Sequence, residues 1–260
     1  MPQLVQSGIR KGRVPSEGYY RGWGLQFGSL QQFVEGETLF REALDATTSL
    51  ESWISPEKRA NLYLILTRFL PRLTEKNIIE FGTFRGGTAV FMAIILREVA
   101  PTSTIYTLDT FNGMPVTDKT IDAHSAGDFS DCSLEALQDK ARDLGLTNLV
   151  PISGLFQTTF PNLPLGIKFG LAHIDCDIYE SIKYAQDAVW PRMTKGGYIV
   201  YDDATVSSCI GTTEAVEELI QQRHAHCEQS WPHFVFRVGL VDSSRKFWFQ
   251  WKFFNLQIFR

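Results

Sequence analysis

Five short apolar runs recur along the chain: NIIEF from residue 77, TIYTLD from 104, NLVPIS from 148, FGLAHID from 169 and GYIVYD from 197. Amphipathic segments of helical period separate most of them. A strand that is apolar throughout must be covered on both faces, and parallel neighbours can be joined only by a crossover, normally a helix. The alternation therefore predicts an α/β fold, a doubly wound and mostly parallel sheet with helices on both sides.

The helix signals agree. A helix carrying Leu62, Leu64, Ile65, Phe69 and Leu70 stops at Pro71, and AVFMAIILREVA stops at Pro101. In SLEALQDKARDL, Ser133 is placed to cap the start. Leu134, Leu137, Ala141 and Leu144 share a face, and Gly145 suits the end. Two strand-like runs close the chain, HFVFRVG and FWFQWKFF, separated by a polar turn at DSSRK. They predict a C-terminal antiparallel hairpin at one sheet edge. Residues 1–55 stand apart: RKGRVPSEGYYRGWG has no period, and one helix is expected around LQQFVEGETLFREAL. This gives an N-terminal cap or lid over 1–55 and an α/β domain over 56–260. Tyr19, Tyr20 and Trp23 either line an acceptor pocket or anchor the cap.

With 260 residues, 44% of them hydrophobic, the chain can fill a sizeable core. A net charge of −4, with charged residues at 21%, argues against nucleic acid or an anionic membrane surface as the partner and favours a small molecule. No apolar run approaches the ~20 residues of a membrane span. Cys132, Cys176, Cys209 and Cys227 are scattered, without a CxxC pair, and no secretory signal pattern is seen, so the cytoplasm is the expected compartment.

In doubly wound sheets ligands bind beyond the carboxyl ends of the strands. Those positions hold Glu80, Asp109, Ser153, Asp175 and Asp202, four of them acidic. The loop EFGTFRGG, residues 80–87, lets a ligand approach the backbone, but a dinucleotide fingerprint wants glycine where this chain has Phe84. Glu80 would repel phosphates and attract a cation. S-adenosylmethionine, with a sulfonium and an ammonium and no phosphate, suits this loop better than NAD does; a plain strand-to-helix turn is the alternative. Asp109 is placed equally well to accept from ribose hydroxyls or to cap a turn. In HIDCDIYE, Asp175 and Asp177 end an apolar run, and buried carboxylates need donors, a basic side chain or a metal.

Taken in order, IIEFGTFRGGTAVFMA, LDTFNGMP, LAHIDCDIYESI and GGYIVYDDA resemble the macrocin O-methyltransferase family over roughly residues 55–225. The resemblance implies a Rossmann-like class I methyltransferase that uses S-adenosyl-L-methionine and Mg2+ to methylate a hydroxyl of a small molecule, typically a sugar or natural product. It implies Asp175, Asp202 and Asp203 as metal ligands and Asp177 as general base. The cofactor residues expected are Glu80, Gly82, Thr83 and Gly86 from the glycine loop, then Asp109, Thr110 and Phe111, with Ser153 at the next strand end. Ser130, beside Asp131, is expected on the adenine side. Relatives commonly self-associate, so a homo-oligomer is a further expectation.

Strand spacing of about 4.8 Å lets carboxylates from neighbouring strand ends reach one ion, and oxygen donors alone favour a hard cation over zinc. Other functions remain open at this point. Asp202 and Asp203 also suit a helix N-terminus, a D-x-D also occurs in glycosyltransferases, and a cofactor-binding module without turnover would keep the same loop. A phosphate-handling site would want basic residues, and Lys183 is the one cation noted downstream. His173 is either support for Asp175 or a hydrogen-bonded core residue, and Cys176 is expected to point to the opposite face, into the core. HAHCEQSWPH groups His224, His226, Cys227 and His233 without a zinc spacing, and a loop or strand entry is the expectation.

Overall fold

The computed structural model describes residues 30–50, 52–223, 225 and 227–239. Tyr19, Tyr20, Trp23, His224, His226, the DSSRK turn and FWFQWKFF lie outside them. One sheet of seven strands organises the chain: β1 (Asn77–Phe81), β2 (Ile105–Asp109), β3 (Leu149–Ser153), β4 (Phe169–Ile174), β5 (Met193–Tyr201), β6 (Cys227–Gln229) and β7 (Phe234–Arg237). Their spatial order is β3-β2-β1-β4-β5-β7-β6. The first five pair in parallel and β7 runs antiparallel to both β5 and β6.

Strand alternation separates two cores. Ile78, Leu171 and Val200 face one, while Ile79, Phe81, Ile174 and Tyr201 face the other. The first core is filled by α1 (Leu30–Gly36), α2 (Thr38–Ala46), α3 (Pro56–Leu64), α4 (Gly87–Val99) and α5 (Leu134–Asp143). The second takes α6 (Phe156–Thr159), α7 (Tyr179–Val189) and α8 (Ile210–Arg223). In α5 the Ser133 hydroxyl accepts from Ala136 N at 3.2 Å, and Leu137 and Ala141 are buried. Pro151 sits in β3, which among the described residues pairs only with β2, an edge where a missing N–H is tolerated.

Two boundaries differ from expectation. The single helix expected before residue 45 is two, α1 and α2, because Gly36 lowers the helical preference and Glu37 turns extended at ψ 132°. Phe40 of α2 packs edge-on against Tyr63 of α3 and Phe91 of α4, so these helices share the first core. Within the described residues HFVFRVG pairs antiparallel with Cys227–Gln229, out of the HAHCEQ stretch, as well as with β5, while FWFQWKFF, expected as its hairpin partner, lies outside them. Beyond Leu64, α3 widens into a π turn, Ile65–Phe69, before Pro71.

The strand order reverses between β1 and β4: the chain winds from β1 to β2 and β3 on one side, and from β4 to β5 on the other. At that crevice the two turns touch. Asp175 N donates to Phe81 O at 2.8 Å, and a Cβ on Gly82, at φ +88°, would sit 1.7 Å from the Asp175 carbonyl oxygen. Gly82→Ala is therefore expected to cost more than about 2 kcal/mol in a urea melt. Gly36→Ala, with nothing within 4 Å, is expected to be neutral or to stabilise by up to about 1 kcal/mol. Equal midpoints for the two variants would contradict the contact.

Candidate active site

A cavity of about 460 Å³ opens over the carboxyl ends of the strands. The turns after β1, β2, β4 and β5 form its floor, Ser52–Ser55 and Lys58 one wall, and Met114, His124 and Phe129 another. Of the residues expected to hold a cofactor, Glu80, Gly82, Thr83, Asp109 and Thr110 border it. Four others do not. Gly86 takes a left-handed turn at the start of α4 against Leu137, and Phe111 packs onto the first core. Ser153 is exposed and donates to Thr110 O at 3.2 Å, while exposed Ser130 adjoins Asp131, which is paired with Arg85.

Asp109 acts first as a clamp. Its Oδ2 accepts from Thr83 N at 2.7 Å and Phe84 N at 2.9 Å, and its Oδ1 from Phe111 N at 2.8 Å. One carboxylate thus fixes the turns after β1 and β2, both of which carry a phenylalanine at positive φ. Glu80 is wholly buried. It accepts from Thr107 Oγ1 at 2.7 Å, and its other oxygen is 3.3 Å from His173 Nδ1.

Three carboxylates converge: oxygens of Asp175, Asp177 and Asp203 lie within 4.8 Å of one another, half-buried. Burial, followed by the charges of Asp202 and Asp203, pushes the Asp175 carboxyl well above the usual range. Burial and Asp203 do the same to Asp177. Asp177 sits at φ +59°, accepts from the Cys209 thiol at 3.3 Å, and its carbonyl accepts from Thr212 Oγ1 at 3.0 Å.

Asp202, expected in that set, turns the other way. One oxygen pairs with Lys58 Nζ, the other lies 2.9 Å from His233 Nε2, and His173 Nε2 stands 3.5 Å off. His233 Nδ1 meets Asn61 Nδ2 at 3.0 Å. Burial alone would raise the Asp202 carboxyl, but the nearby His173 ring, the bond from His233 and the Lys58 ammonium hold it well below the usual range. Successive residues leaving a strand point apart, which sends Asp202 into this basic cluster and Asp203 toward the other acids. Lys58 bridges the two, reaching Asp203 Oδ1 at 3.1 Å.

Lys58 was missed from sequence, and it corrects the expectation that the neighbourhood lacks basic residues. Its signal was there: Lys58, Asn61, Leu62 and Ile65 fall at helical spacing on one face, so a lysine lay on the buried stripe of α3. The Ser55 cap, accepting from Lys58 N at 3.3 Å, fixes where that stripe begins. Lys183, by contrast, pairs with Glu218 at 2.8 Å between α7 and α8. His173 is a hydrogen-bonded core residue. Cys176 packs partly against the second core yet also lines the cavity.

Residues 38–228 match the protein family described as Macrocin-O-methyltransferase (TylF). A relative, the 8-demethyl-8-(2,3-dimethoxy-alpha-L-rhamnosyl)-tetracenomycin-C 4'-O-methyltransferase of Streptomyces olivaceus, is 28% identical over 143 residues, 51% of this chain and 54% of that protein. The match thus spans about half of that relative's length. The mycinamicin III 3''-O-methyltransferase of Micromonospora griseorubida is 26% identical over 192 residues, covering 69% of this chain and 74% of that one. Among solved structures, the O-methyltransferase NovP superposes with a TM-score of 0.60 at 21% identity, over 68% of this chain and 78% of NovP, a likeness of fold.

Against the lowering effect of burial, contacts with Asp202 and Glu80 push the His173 imidazole from its ordinary 6.5 up to about 9. The stability it contributes is complete below pH 6.5 and is lost as pH rises through about 9. It amounts to at most about 3 kcal/mol. Urea melts across that window should show this slope in the wild type and a flatter profile in His173→Gln; equal slopes would refute it.

Proposed function

We propose, because the chain belongs to the macrocin O-methyltransferase (TylF) family, that this O-methyltransferase carries a methyl group from S-adenosylmethionine to a hydroxyl of a glycosylated natural product, with a hard divalent cation such as magnesium at the acceptor. The observation that carries this is the convergence of Asp175, Asp177 and Asp203 inside the same cavity as the Gly82 turn. The names of the relatives support a sugar hydroxyl as the acceptor.

The residues fit both groups. Octahedral bonds of about 2.1 Å put neighbouring oxygens about 3 Å and opposite ones about 4.2 Å apart, so carboxylates within 4.8 Å need little movement to share a small hard ion. Their crowding, which raises the proton affinity of Asp175 and Asp177, is what a cation relieves. For the methyl donor, the close backbone turn at Gly82 is bordered by Glu80 and carries Phe84 where a pyrophosphate would need glycine. Lys58 is the one lysine or arginine among the described residues lining the cavity, and it is committed to Asp202 and Asp203. No basic cradle for a nucleotide sugar's diphosphate is therefore formed there by the described residues, which weighs against the glycosyltransferase alternative.

Asp175 and Asp203 would hold the ion and Asp177 would accept the acceptor's proton. When bound, the ion supplies positive charge that lowers the proton affinity of a hydroxyl by several units. S-adenosylmethionine supplies an electrophilic methyl group. What the chain adds is alignment and dryness. Asp109 fixes the floor, Lys58 holds Asp203 in place, and Phe84 and Phe129, packed edge to face, give the cavity an apolar wall. Asp177, made more basic by burial and Asp203, is the better proton acceptor for it.

Asp177→Asn should leave S-adenosylmethionine binding unchanged in calorimetry while turnover falls at least about 100-fold. Turnover within a few-fold of wild type removes Asp177 as base. Asp203→Asn should weaken magnesium binding at least about tenfold, with the cofactor still bound in the absence of metal. A magnesium isotherm indifferent to this change would place the ion elsewhere.

A further inference from the structure

Asp177 has a second set of neighbours, on the side away from Asp175 and Asp203. His124 Nε2, Cys209 Sγ and an Asp177 carboxylate oxygen all lie within 4.8 Å of one another. Sγ is 3.7 Å from Nε2 and 3.3 Å from Asp177 Oδ1. We infer that His124, Cys209 and Asp177 form a second metal site, suited to a borderline-soft divalent cation such as Zn2+, which shares Asp177 with the carboxylate triad and switches the enzyme off when filled. The switching rests on the function proposed above; the binding does not.

Two of the three donor separations, those from sulfur, are already close to the ones a bound ion would set. Zinc bonds of about 2.3 Å to sulfur and about 2.0 Å to nitrogen or oxygen, at tetrahedral angles, put sulfur about 3.5 Å from each of the other two donors. The observed separations bracket that value within a few tenths of an ångström. The ring of His124 is oriented for it as well. Asp128 Oδ2 lies 3.6 Å from Nδ1, too far for a hydrogen bond, and its negative charge on that side of the ring favours a proton on Nδ1 over one on Nε2. The three ligands come from separate parts of the chain: the segment between β2 and α5, the turn after β4, and the start of α8. All three line the cavity, which leaves the fourth tetrahedral position open to water or an acceptor oxygen.

Selectivity follows from donor type. A thiolate and an imidazole suit zinc and leave magnesium poorly bound, whereas the all-oxygen triad does the reverse. In the metal-free protein the Cys209 thiol donates its proton to Asp177. On binding, that proton leaves to solvent and the ion takes its place between sulfur and carboxylate, so affinity rises with pH. Because Asp177 is common to both sets, zinc removes the group proposed to accept the acceptor's proton, and millimolar magnesium held by Asp175 and Asp203 beside it should weaken zinc binding through charge repulsion.

The test is a titration of the chelator-treated full chain with Co2+ as a spectroscopic stand-in, followed by Zn2+. One equivalent of Co2+ should give the intense visible bands of a tetrahedral ion together with a sulfur-to-cobalt charge-transfer band, and Zn2+ should bleach both. Cys209→Ser should abolish the charge-transfer band, and His124→Gln should weaken Zn2+ at least tenfold in chelator competition. Asp203→Asn should keep the band. Circular dichroism on each variant separates loss of a ligand from loss of fold. A weak octahedral spectrum without the sulfur band overturns the site, and so does a band that survives Cys209→Ser, which would assign it to another cysteine such as Cys176. In methyl transfer, stoichiometric Zn2+ should inhibit the wild type at least tenfold and inhibit Cys209→Ser far less. If no acceptor is ever methylated while the cobalt signature appears, the proposed function fails and the metal site stands. Inhibition without the signature sinks the site and leaves the function intact.

Discussion

The turns leaving β1 and β4 press together so closely that a side chain on Gly82 would enter the Asp175 carbonyl. Everything at the cavity depends on that contact. It comes at the point where strand order reverses, so the loop suited to a cationic cofactor and the acids suited to an ion and an acceptor are built on adjoining backbones rather than on separate lobes. The contact leaves the β1 turn little freedom, and Asp109 removes more of it by accepting from Thr83 and Phe84. Alignment of a donor with an acceptor to a fraction of an ångström is the main thing a direct methyl displacement asks of a protein.

Charge is the second organising constraint. Glu80, Asp175, Asp177, Asp202 and Asp203 gather within one crevice, and Lys58 and His173 answer part of that charge. Two like charges 4 Å apart repel by about 4 kcal/mol at an effective dielectric of 20. A set like this is stable only if cations come to it or protons stay on it. The protein divides the task. Lys58 and His173 neutralise the buried end around Asp202, where His233, its proton affinity lowered by burial, adds only a hydrogen bond, and the end facing the cavity, Asp175 and Asp177, keeps a raised proton affinity. The unanswered charge is directed at whatever enters. Such a charge distribution favours cationic ligands, the sulfonium and divalent cation proposed above among them, and disfavours a phosphate.

How much of this was legible in the sequence depended on how local its cause was. Strands such as NIIEF and FGLAHID, and the helix capped by Ser133, declare themselves through apolar runs and one hydroxyl, because their determinants lie within a few residues. The acids at the strand ends were legible for the same reason. The direction each one takes was not. Asp202 and Asp203 read alike as a pair, and only the packing of α3 against the sheet, 144 residues away in sequence, brings Lys58 in to separate them. Asp109 was recognised as a strand-end acid, but its role as a clamp depends on loop conformations that no spacing encodes. Gly86, Phe111, Ser130 and Ser153 follow the right strands and lie off the cavity, since sequence gives the end of the sheet on which a residue falls and not the wall it faces. The expected terminal hairpin drew on a run outside the described residues, whereas Cys227–Gln229 supplies β6 from a stretch too short and polar to announce a strand.

Backbone strain around the cavity carries the same logic one step further. Phe84, Phe111, Phe129 and Asp177 are the non-glycine residues at positive φ among those described, and all four lie in turns beyond the carboxyl ends of the strands. Each such residue costs about 1–3 kcal/mol, a cost that persists only where surrounding structure outweighs it. Here the compensation is visible residue by residue. Asp109 accepts from the N–H groups of Phe84 and Phe111, Phe129 packs edge-on against both Phe84 and Trp53, and Thr212 together with Cys209 holds Asp177 through its carbonyl and its carboxylate. Three of the four, Phe84, Phe129 and Asp177, line the cavity, and Phe111 holds the turn beneath it, so the contacts that offset the strain also position the cavity wall. A cavity wall built this way is organised before any ligand arrives, so binding energy need not be spent on ordering it.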